Sequence, residues 1–233
     1  MIGVIVRRHL QITNRQQMKY INLTTLILGL ILFGYNQTDT KTTWVTREKV
    51  SASSKDKEQI QNLIRQVLNW ADTNNSIDFL PTITDSKNSF YIGFDLGKHK
   101  QNLVKLRQAD LFSTEFIDNY NQIILTLDKG LRNGKYEEWL VGDLPPFTFV
   151  SDVNPWCLCQ DVPDDTVNPW DFVEIRTIYL DKDKGEASWD WGKLEFNTHP
   201  SWKDFSYNFK VVKENHKWKI AYLQGFDFKE STK

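Results

Sequence analysis

Five carboxylic acids lie in one proline-rich stretch of the chain, residues 139–170: Asp143, Asp152, Asp161, Asp164 and Asp165. An acid at the mouth of an apolar pocket has a raised pKa, because burial disfavours its charged form, and it can then act as a general acid or base near neutral pH. Asp161, beside Gln160, is the candidate catalytic residue. The alternative is structural, since a Gln-Asp pair in such a loop often accepts hydrogen bonds from backbone N–H groups.

Tryptophan is the second group of candidate residues, with nine in the chain. Two of them, Trp189 and Trp191, are two residues apart and would project from the same face of a strand. Exposed aromatic rings stack on sugars or anchor a protein partner. The alternative is that the rings fill the interior of a bent sheet. The predicted ligand-binding set is Asp152, Trp156, Gln160, Asp161, Trp189 and Trp191.

Cysteine and histidine give no metal site. Cys157 and Cys159 are the only cysteines, and a disulfide between them would close a small strained ring that is reducible if it forms. We therefore expect two free thiols in a partly buried loop, with a redox or metal role as the alternative. A structural zinc site usually needs four ligands, and His99, His199 and His216 share no metal-binding spacing. We expect neither a metal nor a cofactor.

The first 35 residues have the layout of a bacterial export signal. Lys19 precedes an uncharged, mostly apolar run of 13 residues, residues 23–35. As a helix this run would be about 20 Å long, shorter than the ~30 Å hydrocarbon core, which favours a cleaved signal over a spanning helix. A membrane tether through residues 20–35 and an over-long start on a cytoplasmic protein are the alternatives, and translation starts at Met1 or Met18. We expect a periplasmic or cell-envelope location.

Composition indicates one folded domain with no nucleic-acid partner. The chain has 233 residues, and the part after the leader carries 25 Lys and Arg against 30 Asp and Glu. Nucleic-acid binding requires a clustered basic face, which this mildly acidic, interspersed charge does not provide. We expect a signal or anchor over 1–35, a polar linker over 36–54 and a single domain over 55–230.

Helices are predicted in the first half of the domain, before the loop that carries the acids. Apolar residues recur at helical spacing after Ser54, which predicts a helix over 55–73 with Ser54 as its cap. A second long helix is predicted over 113–131 and a short one over 99–107. Residues 90–94 read as a short strand or an ordered loop.

The last third of the domain is predicted to be β. Alternating apolar residues indicate four strands joined by short turns: 172–180, 187–196, one through Phe205, Tyr207, Phe209 and Val211, and one in which Trp218, Ile220 and Tyr222 share a face. Helices followed by an antiparallel meander predict an α+β fold, with two or three N-terminal helices packed on a strongly bent antiparallel sheet.

This order of elements, ending in residues 217–226 (KWKIAYLQGF), resembles the nuclear-transport-factor-2-like superfamily over about residues 55–228. Within it, the chain is similar to bacterial exported or lipoprotein-type families of unknown function. Residues 152–161 are similar to their loop motif D-P-[aromatic or aliphatic]-x-x-x-Q-D, with Asn154 in place of the first Asp. The resemblance implies a cone-like fold, and the outer face of such a sheet often forms a homodimer. It fixes no function, since the superfamily includes isomerases, dehydratases, binding modules and immunity proteins.

The expected function is non-enzymatic. The chain lacks the G-x-S-x-G nucleophile motif and the phosphate-binding G-x-x-x-x-G-K motif. We expect an exported envelope protein that binds a small ligand or a protein partner. The alternatives are a small isomerase or hydratase that uses Asp161 in an apolar cavity, an immunity protein that neutralises a toxin, and a carbohydrate binder with two coplanar exposed tryptophans.

Overall fold

A computed structural model describes residues 53–73, 77–162, 168–192 and 204–233. The predicted signal or anchor (1–35) and all but the last two residues of the predicted linker (36–54) lie outside the described residues. So do Asp164, Asp165 and His199. The described part of the chain is α+β, with helices and two antiparallel sheets.

The first predicted helix is confirmed as α1, Ser54–Asp72. Its cap is Ser53 rather than the predicted Ser54, because the Ser53 side chain accepts a hydrogen bond from the Asp56 N–H at 3.0 Å. One apolar stripe of the helix is buried and packs it on the rest of the domain. The stripe consists of Ile60, Leu63, Ile64, Val67 and Leu68.

The two other predicted helices are α2, Leu96–Gln108, and α3, Thr114–Arg132. Helix α2 begins three residues earlier than predicted, because the Asp95 side chain accepts hydrogen bonds from the first N–H groups of the helix. Ser113 caps α3 in the same way through the Phe116 N–H. A short C-terminal helix, α4, spans Phe228–Ser231.

A small antiparallel sheet lies beside the helices and was predicted only in part. It consists of β1 (Thr82–Thr84), β2 (Phe90–Phe94) and β3 (Trp139–Leu140), in the order β1-β2-β3. Helix α3 packs closely on β2 at Gly93, where φ is +154° and a Cβ atom would lie 2.8 Å from the Asp128 carboxylate. The position therefore requires glycine.

The main sheet is the predicted meander. Its strands are β4 (Glu174–Asp181), β5 (Lys184–Asp190), β6 (Tyr207–Glu214) and β7 (Lys217–Leu223), paired in chain order. Strand β5 begins three residues before the predicted start. The reason is a tight turn at Lys182 and Asp183, where Lys182 has φ +54° and Asp181 pairs with Lys184.

The prediction that Tyr222 shares a face with Trp218 and Ile220 is wrong. Val211 pairs with Ile220 and Lys210 pairs with Tyr222, so Ala221 is an extra residue in β7. Such a β-bulge reverses the alternation of side chains beyond it. Tyr222 is therefore half-buried on the face opposite the core, and Leu223 takes the buried position.

The turn between α2 and α3 is hydrogen-bonded to the edge of the main sheet. The Ile220 N–H donates to the Leu111 carbonyl at 2.9 Å, and the Ser113 N–H donates to the Ile220 carbonyl at 2.8 Å. Phe112 thereby forms a parallel bridge with Ile220. These bonds hold the α2–α3 turn beside the β6–β7 hairpin, with α1 close to both.

Candidate functional site

The described polar residues of the predicted loop site are exposed rather than buried in an apolar cavity. Asp152, Gln160 and Asp161 are all exposed. General acid–base catalysis near neutral pH would need a carboxyl group whose pKa is raised by burial. An exposed carboxyl group is not desolvated in this way. The geometry therefore does not support Asp161 as a catalytic residue.

The predicted tryptophans are buried. The exposed fractions of Trp156, Trp189 and Trp191 are 2 %, 0 % and 1 %. Trp189 and Trp191 contact each other edge to face, with centroids 5.3 Å apart, and Trp170 stacks on Trp191. These rings fill the interior, which was the alternative interpretation, and offer no stacking surface to a sugar. Four indole N–H groups are buried without a partner in the described part of the chain: Trp156, Trp170, Trp189 and Trp191.

The prediction of two free thiols is wrong, because Cys157 and Cys159 form a disulfide. The chain folds back between them, with Leu158 in the left-handed region at φ +52°. The Leu158 N–H donates to the Asn154 carbonyl at 2.7 Å, and the Asn154 N–H donates to the Cys159 carbonyl at 3.0 Å. This tight turn brings the two Cα atoms to 5.2 Å, closer than the ~6.6 Å that separates residues two apart in an extended strand.

A surface groove that the six predicted residues do not line runs along α1 and the tip of the β6–β7 hairpin. One half is a cavity of about 450 Å³ between α1, the α2–α3 turn and the hairpin. The other half, about 340 Å³, lies towards the start of α1 and the β4–β5 turn. Both halves include Gln59 and His216, so we call the whole the hairpin groove.

Three exposed carboxamides line the hairpin groove from α1. Gln59, Asn62 and Gln66 lie at helical spacing beside the buried Leu63, and so along one side of the helix. Each side chain carries both a hydrogen-bond donor and an acceptor. The spacing of these polar residues next to the apolar stripe is a sequence signal that could have indicated the site.

The hairpin supplies the opposite wall. Asn215 and His216 both have positive φ, +53° and +64°, which turns β6 tightly into β7 and presents His216 to the groove. His216 is exposed at the tip of this hairpin. Trp218, only 7 % exposed, forms part of this wall, and its ring lies beneath the Lys213 ammonium, 4.4 Å from the centroid.

Asp56 joins α1 to this wall. Its carboxylate accepts hydrogen bonds from Ser53 Oγ at 2.7 Å, from Trp218 Nε1 at 3.0 Å and from Lys213 Nζ at 3.3 Å. The bonds from Ser53, Trp218 and Lys213 hold the pKa of Asp56 below its ordinary value. The carboxylate is therefore charged and already paired near neutral pH.

Asp110 links the α2–α3 turn to β7 at the other end of the groove. It adopts φ +56° in the α2–α3 turn and accepts hydrogen bonds from Lys217 at 2.8 Å and Lys219 at 2.7 Å. These bonds lower the pKa of Asp110 to about 2. The charges that line the groove balance, with three acids against three lysines: Asp56, Asp110, Asp183, Lys55, Lys213 and Lys217.

His99 is a buried polar residue that the sequence did not indicate. It is 1 % exposed although Lys98 and Lys100 flank it, and its Nε2 lies 2.9 Å from Asn121 Oδ1. Its Nδ1 is buried without a partner among the described residues. Burial lowers the pKa of His99, against the opposing effect of the Asn121 hydrogen bond. Among the described residues no acid is hydrogen-bonded to His99, so the geometry does not support a catalytic dyad there.

Within the ranges that the structure describes, no group of three or more His, Cys, Asp or Glu side chains is placed to hold a metal ion. The same ranges contain no helix with the length and apolar character needed to cross a membrane.

No protein-family model, curated protein or solved structure matches this chain. The resemblance to the nuclear-transport-factor-2-like superfamily therefore stays a prediction, which rests on the order of the elements and on the short loop motif.

Proposed function

We propose that this chain is an exported, envelope-associated binding protein of non-enzymatic type, which holds an uncharged, polar small molecule in the hairpin groove. The observation that carries the proposal is the charge arrangement of the groove. Its acids and lysines balance, and Asp56 and Asp110 are already hydrogen-bonded to lysines. A charged ligand would compete with these pairs, whereas a neutral ligand leaves them in place.

The side chains of the groove favour a ligand rich in hydroxyl or amide groups. Gln59, Asn62 and Gln66 present donors and acceptors together, and a hydroxyl group needs both. Trp218 lines the groove although it is only 7 % exposed, and it supplies an apolar contact, so the site combines one aromatic residue with several polar groups, as ligand sites commonly do. Neutral sugars, polyols and nucleosides have this chemistry.

The export part of the proposal is supported by the basic and apolar layout of residues 18–35. The cone-like shape and the membership in the nuclear-transport-factor-2-like superfamily are proposed on the order of α1, α2, α3 and the β4–β7 meander. An isomerase- or hydratase-like reaction at Asp161 gains no support, because that side chain is exposed.

The test is a thermal-shift screen of the full chain against neutral sugars, polyols and nucleosides, with charged analogues of each. A ligand at 100 times its dissociation constant stabilises the folded state by about 2.7 kcal/mol, which raises the unfolding midpoint clearly. The expected result is a shift with neutral compounds that the variant Gln59→Ala/Asn62→Ala loses.

The matched control is Lys57→Ala/Glu58→Ala, which changes two exposed residues of the same helix that do not line the groove. It should keep the shift. A shift lost in Asp161→Asn but kept in the groove variant would move the site to the proline-rich loop and overturn the proposal. If no neutral compound stabilises the protein, the proposal is also overturned and a protein partner is favoured. The exposed apolar residues to test for such a partner are Leu140, Val141 and Leu144.

A further inference from the structure

We propose that the Cys157–Cys159 disulfide is a redox-sensitive latch, which holds residues 154–159 against the aromatic core and releases them when a dithiol reduces it. We call residues 154–159 the latch segment. The proposal does not depend on the hairpin groove, since no residue of the latch segment lines it.

The latch segment is folded tightly on itself. Its ends pair through the Asn154 N–H and the Cys159 carbonyl, and the Asn154 side chain accepts a hydrogen bond from the Trp156 N–H at 3.0 Å. Leu158 sits in the left-handed region at φ +52°, which is unfavourable for a residue with a branched side chain. The disulfide spans Leu158 and so restrains this conformation covalently.

The first anchor of the latch segment is Trp156. Its indole ring is 2 % exposed and lies between the helices and the C-terminal turn of the domain. It contacts Phe226 at 4.7 Å, Phe112 at 5.6 Å and Trp70 at 5.8 Å between centroids. The Trp156 Nε1 has no hydrogen-bond partner in the described residues, so the ring is held by packing and by the conformation of the segment.

The second anchor is the carbonyl group of Pro155. It accepts a hydrogen bond from the buried Tyr207 hydroxyl at 2.8 Å, and Tyr207 in turn accepts one from the Gly225 N–H at 3.0 Å. A Cβ atom at Gly225 would lie 2.0 Å from this carbonyl oxygen, which shows how closely the segment is pressed on the turn that follows β7.

The two cysteines differ in exposure, from which we infer the direction of reduction. Cys157 is fully buried and Cys159 is partly exposed. A thiolate of the dithiol attacks Cys159 Sγ, and the electron pair of the S–S bond goes to Cys157 Sγ, which takes up a proton. The second thiol of the reductant then attacks the reductant's other sulfur atom, the one bonded to Cys159 in the mixed disulfide, and releases Cys159 as a thiol. The reductant leaves as a disulfide, so two electrons and two protons have moved to the protein.

Reduction removes the covalent restraint on the latch segment. The reduced segment can then stay packed on the core or move away from it. Cys157 Sγ lies 3.8 Å from the Asn154 carbonyl and 3.9 Å from the Cys159 carbonyl, so a thiol there has acceptors. Leu158 becomes free to leave the left-handed region, and Trp156 gains a hydrogen bond to water if it leaves the core. Both effects favour the open form, which loosens the contact between the loop, the helices and β6.

The test is chymotrypsin cleavage of the full chain with and without dithiothreitol, since Trp156 and Leu158 are cleavage sites of the type this protease prefers. Thiols are counted in parallel by iodoacetamide labelling and mass spectrometry. The expected result is no labelled thiol before reduction, two after it, and cleavage within the latch segment that is about tenfold faster, a factor equal to about 1.4 kcal/mol of opening free energy.

The variant Cys157→Ser/Cys159→Ser is the matched control. It should be cleaved at the rate of the reduced protein and should not respond to dithiothreitol. If that variant does not fold, reoxidation of the reduced protein by oxidised glutathione must restore slow cleavage. Two labelled thiols without reductant, equal cleavage rates in the two redox states, or fast cleavage that persists after reoxidation would each overturn the latch.

Discussion

The hydroxyl group of Tyr207 donates a hydrogen bond of 2.8 Å to the carbonyl oxygen of Pro155, and this bond ties β6 to the proline-rich loop. The Tyr207 hydroxyl oxygen also accepts a hydrogen bond from the Gly225 N–H, so one phenol connects three separate segments of the chain. Tyr207 is fully buried, which raises its pKa and keeps the phenol protonated. Removing the hydroxyl would leave a carbonyl group and an N–H group without their partner.

The variant Tyr207→Phe should therefore lower the free energy of unfolding by about 1–3 kcal/mol, the range for a buried hydrogen-bonding group left unpaired. Urea denaturation measures this. Tyr222→Phe is the comparison, because the Tyr222 hydroxyl donates to Asp227 at 3.1 Å on a half-exposed surface. It should lose no more than about 1 kcal/mol. Equal losses in the two variants would contradict the role assigned to the buried phenol.

Substitution of Gly225 tests the close approach of the same loop. Gly225→Ala would place a Cβ atom 2.0 Å from the Pro155 carbonyl oxygen, a backbone atom that cannot rotate away. We expect a loss of about 1–3 kcal/mol in urea denaturation, as for other overpacked sites. Gly97→Ala is the control, since its nearest neighbour is a side-chain oxygen of Asp95 at 3.1 Å and alanine favours a helix. Unchanged stability of Gly225→Ala would mean that the loop does not press on this turn.

His99 should make stability fall in mildly acidic solution. Its pKa is lowered below 6.5 in the folded chain, chiefly by burial. Above pH 6.5 both states are neutral at this residue, so it adds no pH dependence. Below that value the unfolded chain binds a proton that the folded chain does not, and the free energy of unfolding falls until the pH reaches the folded pKa.

The measurement is urea denaturation at several pH values between about 7.5 and 5. His99→Gln should show a flatter dependence than the unmodified chain in this window. His216→Gln is the control, because His216 is exposed in the hairpin turn, and it should keep the full slope. The carboxylates with lowered pKa values, such as Asp110, change the free energy of unfolding only in stronger acid, below about pH 4. Identical slopes in all three proteins would contradict the assignment to His99.

Asp128 and Arg132 should contribute unequally to stability. The Asp128 side chain is 10 % exposed and accepts hydrogen bonds from the Phe94 N–H at 2.7 Å and from Arg132 Nε at 2.9 Å. Asp128→Ala leaves a backbone donor of β2 unpaired, so we expect a loss of about 2–3 kcal/mol.

The Arg132 side chain is 45 % exposed, and solvent screens its charge. Arg132→Met should therefore lose about 0.5–1 kcal/mol. Both losses are measured from urea denaturation midpoints at equal slope. If Arg132→Met lost as much as Asp128→Ala, the ion pair rather than the backbone hydrogen bond would be the main link between α3 and β2.

The sequence predicted the regular elements well where one apolar face is long. The stripes of α1 and α3 and the alternation in β6 gave the helices and the meander, because side-chain periodicity follows directly from helix and strand geometry. Strand β3 has two residues, too few for a period, and the bulge at Ala221 depends on pairing with β6 rather than on its own sequence. Tyr222 was placed on the wrong face for that reason.

The site could be predicted far less well. Asp161 and the tryptophans were chosen by residue type, but burial decides whether an acid or a ring meets a ligand, and burial depends on contacts distant in sequence. Leu158 illustrates the same limit, because its left-handed conformation, which brings Cys157 to Cys159, has no signature in a leucine. The hairpin groove joins Gln59, Asp110 and His216 across 157 positions of sequence.

The hydrogen bonds between the α2–α3 turn and Ile220 have a consequence for how this protein avoids aggregation. An edge strand with free N–H and C=O groups is a template for pairing with another chain. The N–H and C=O groups of Ile220 are both hydrogen-bonded to the same molecule, at Leu111 and Ser113, so β7 presents no unpaired backbone group at this residue. The connection between two helices thus also shields the last strand of the main sheet from intermolecular strand addition at its centre.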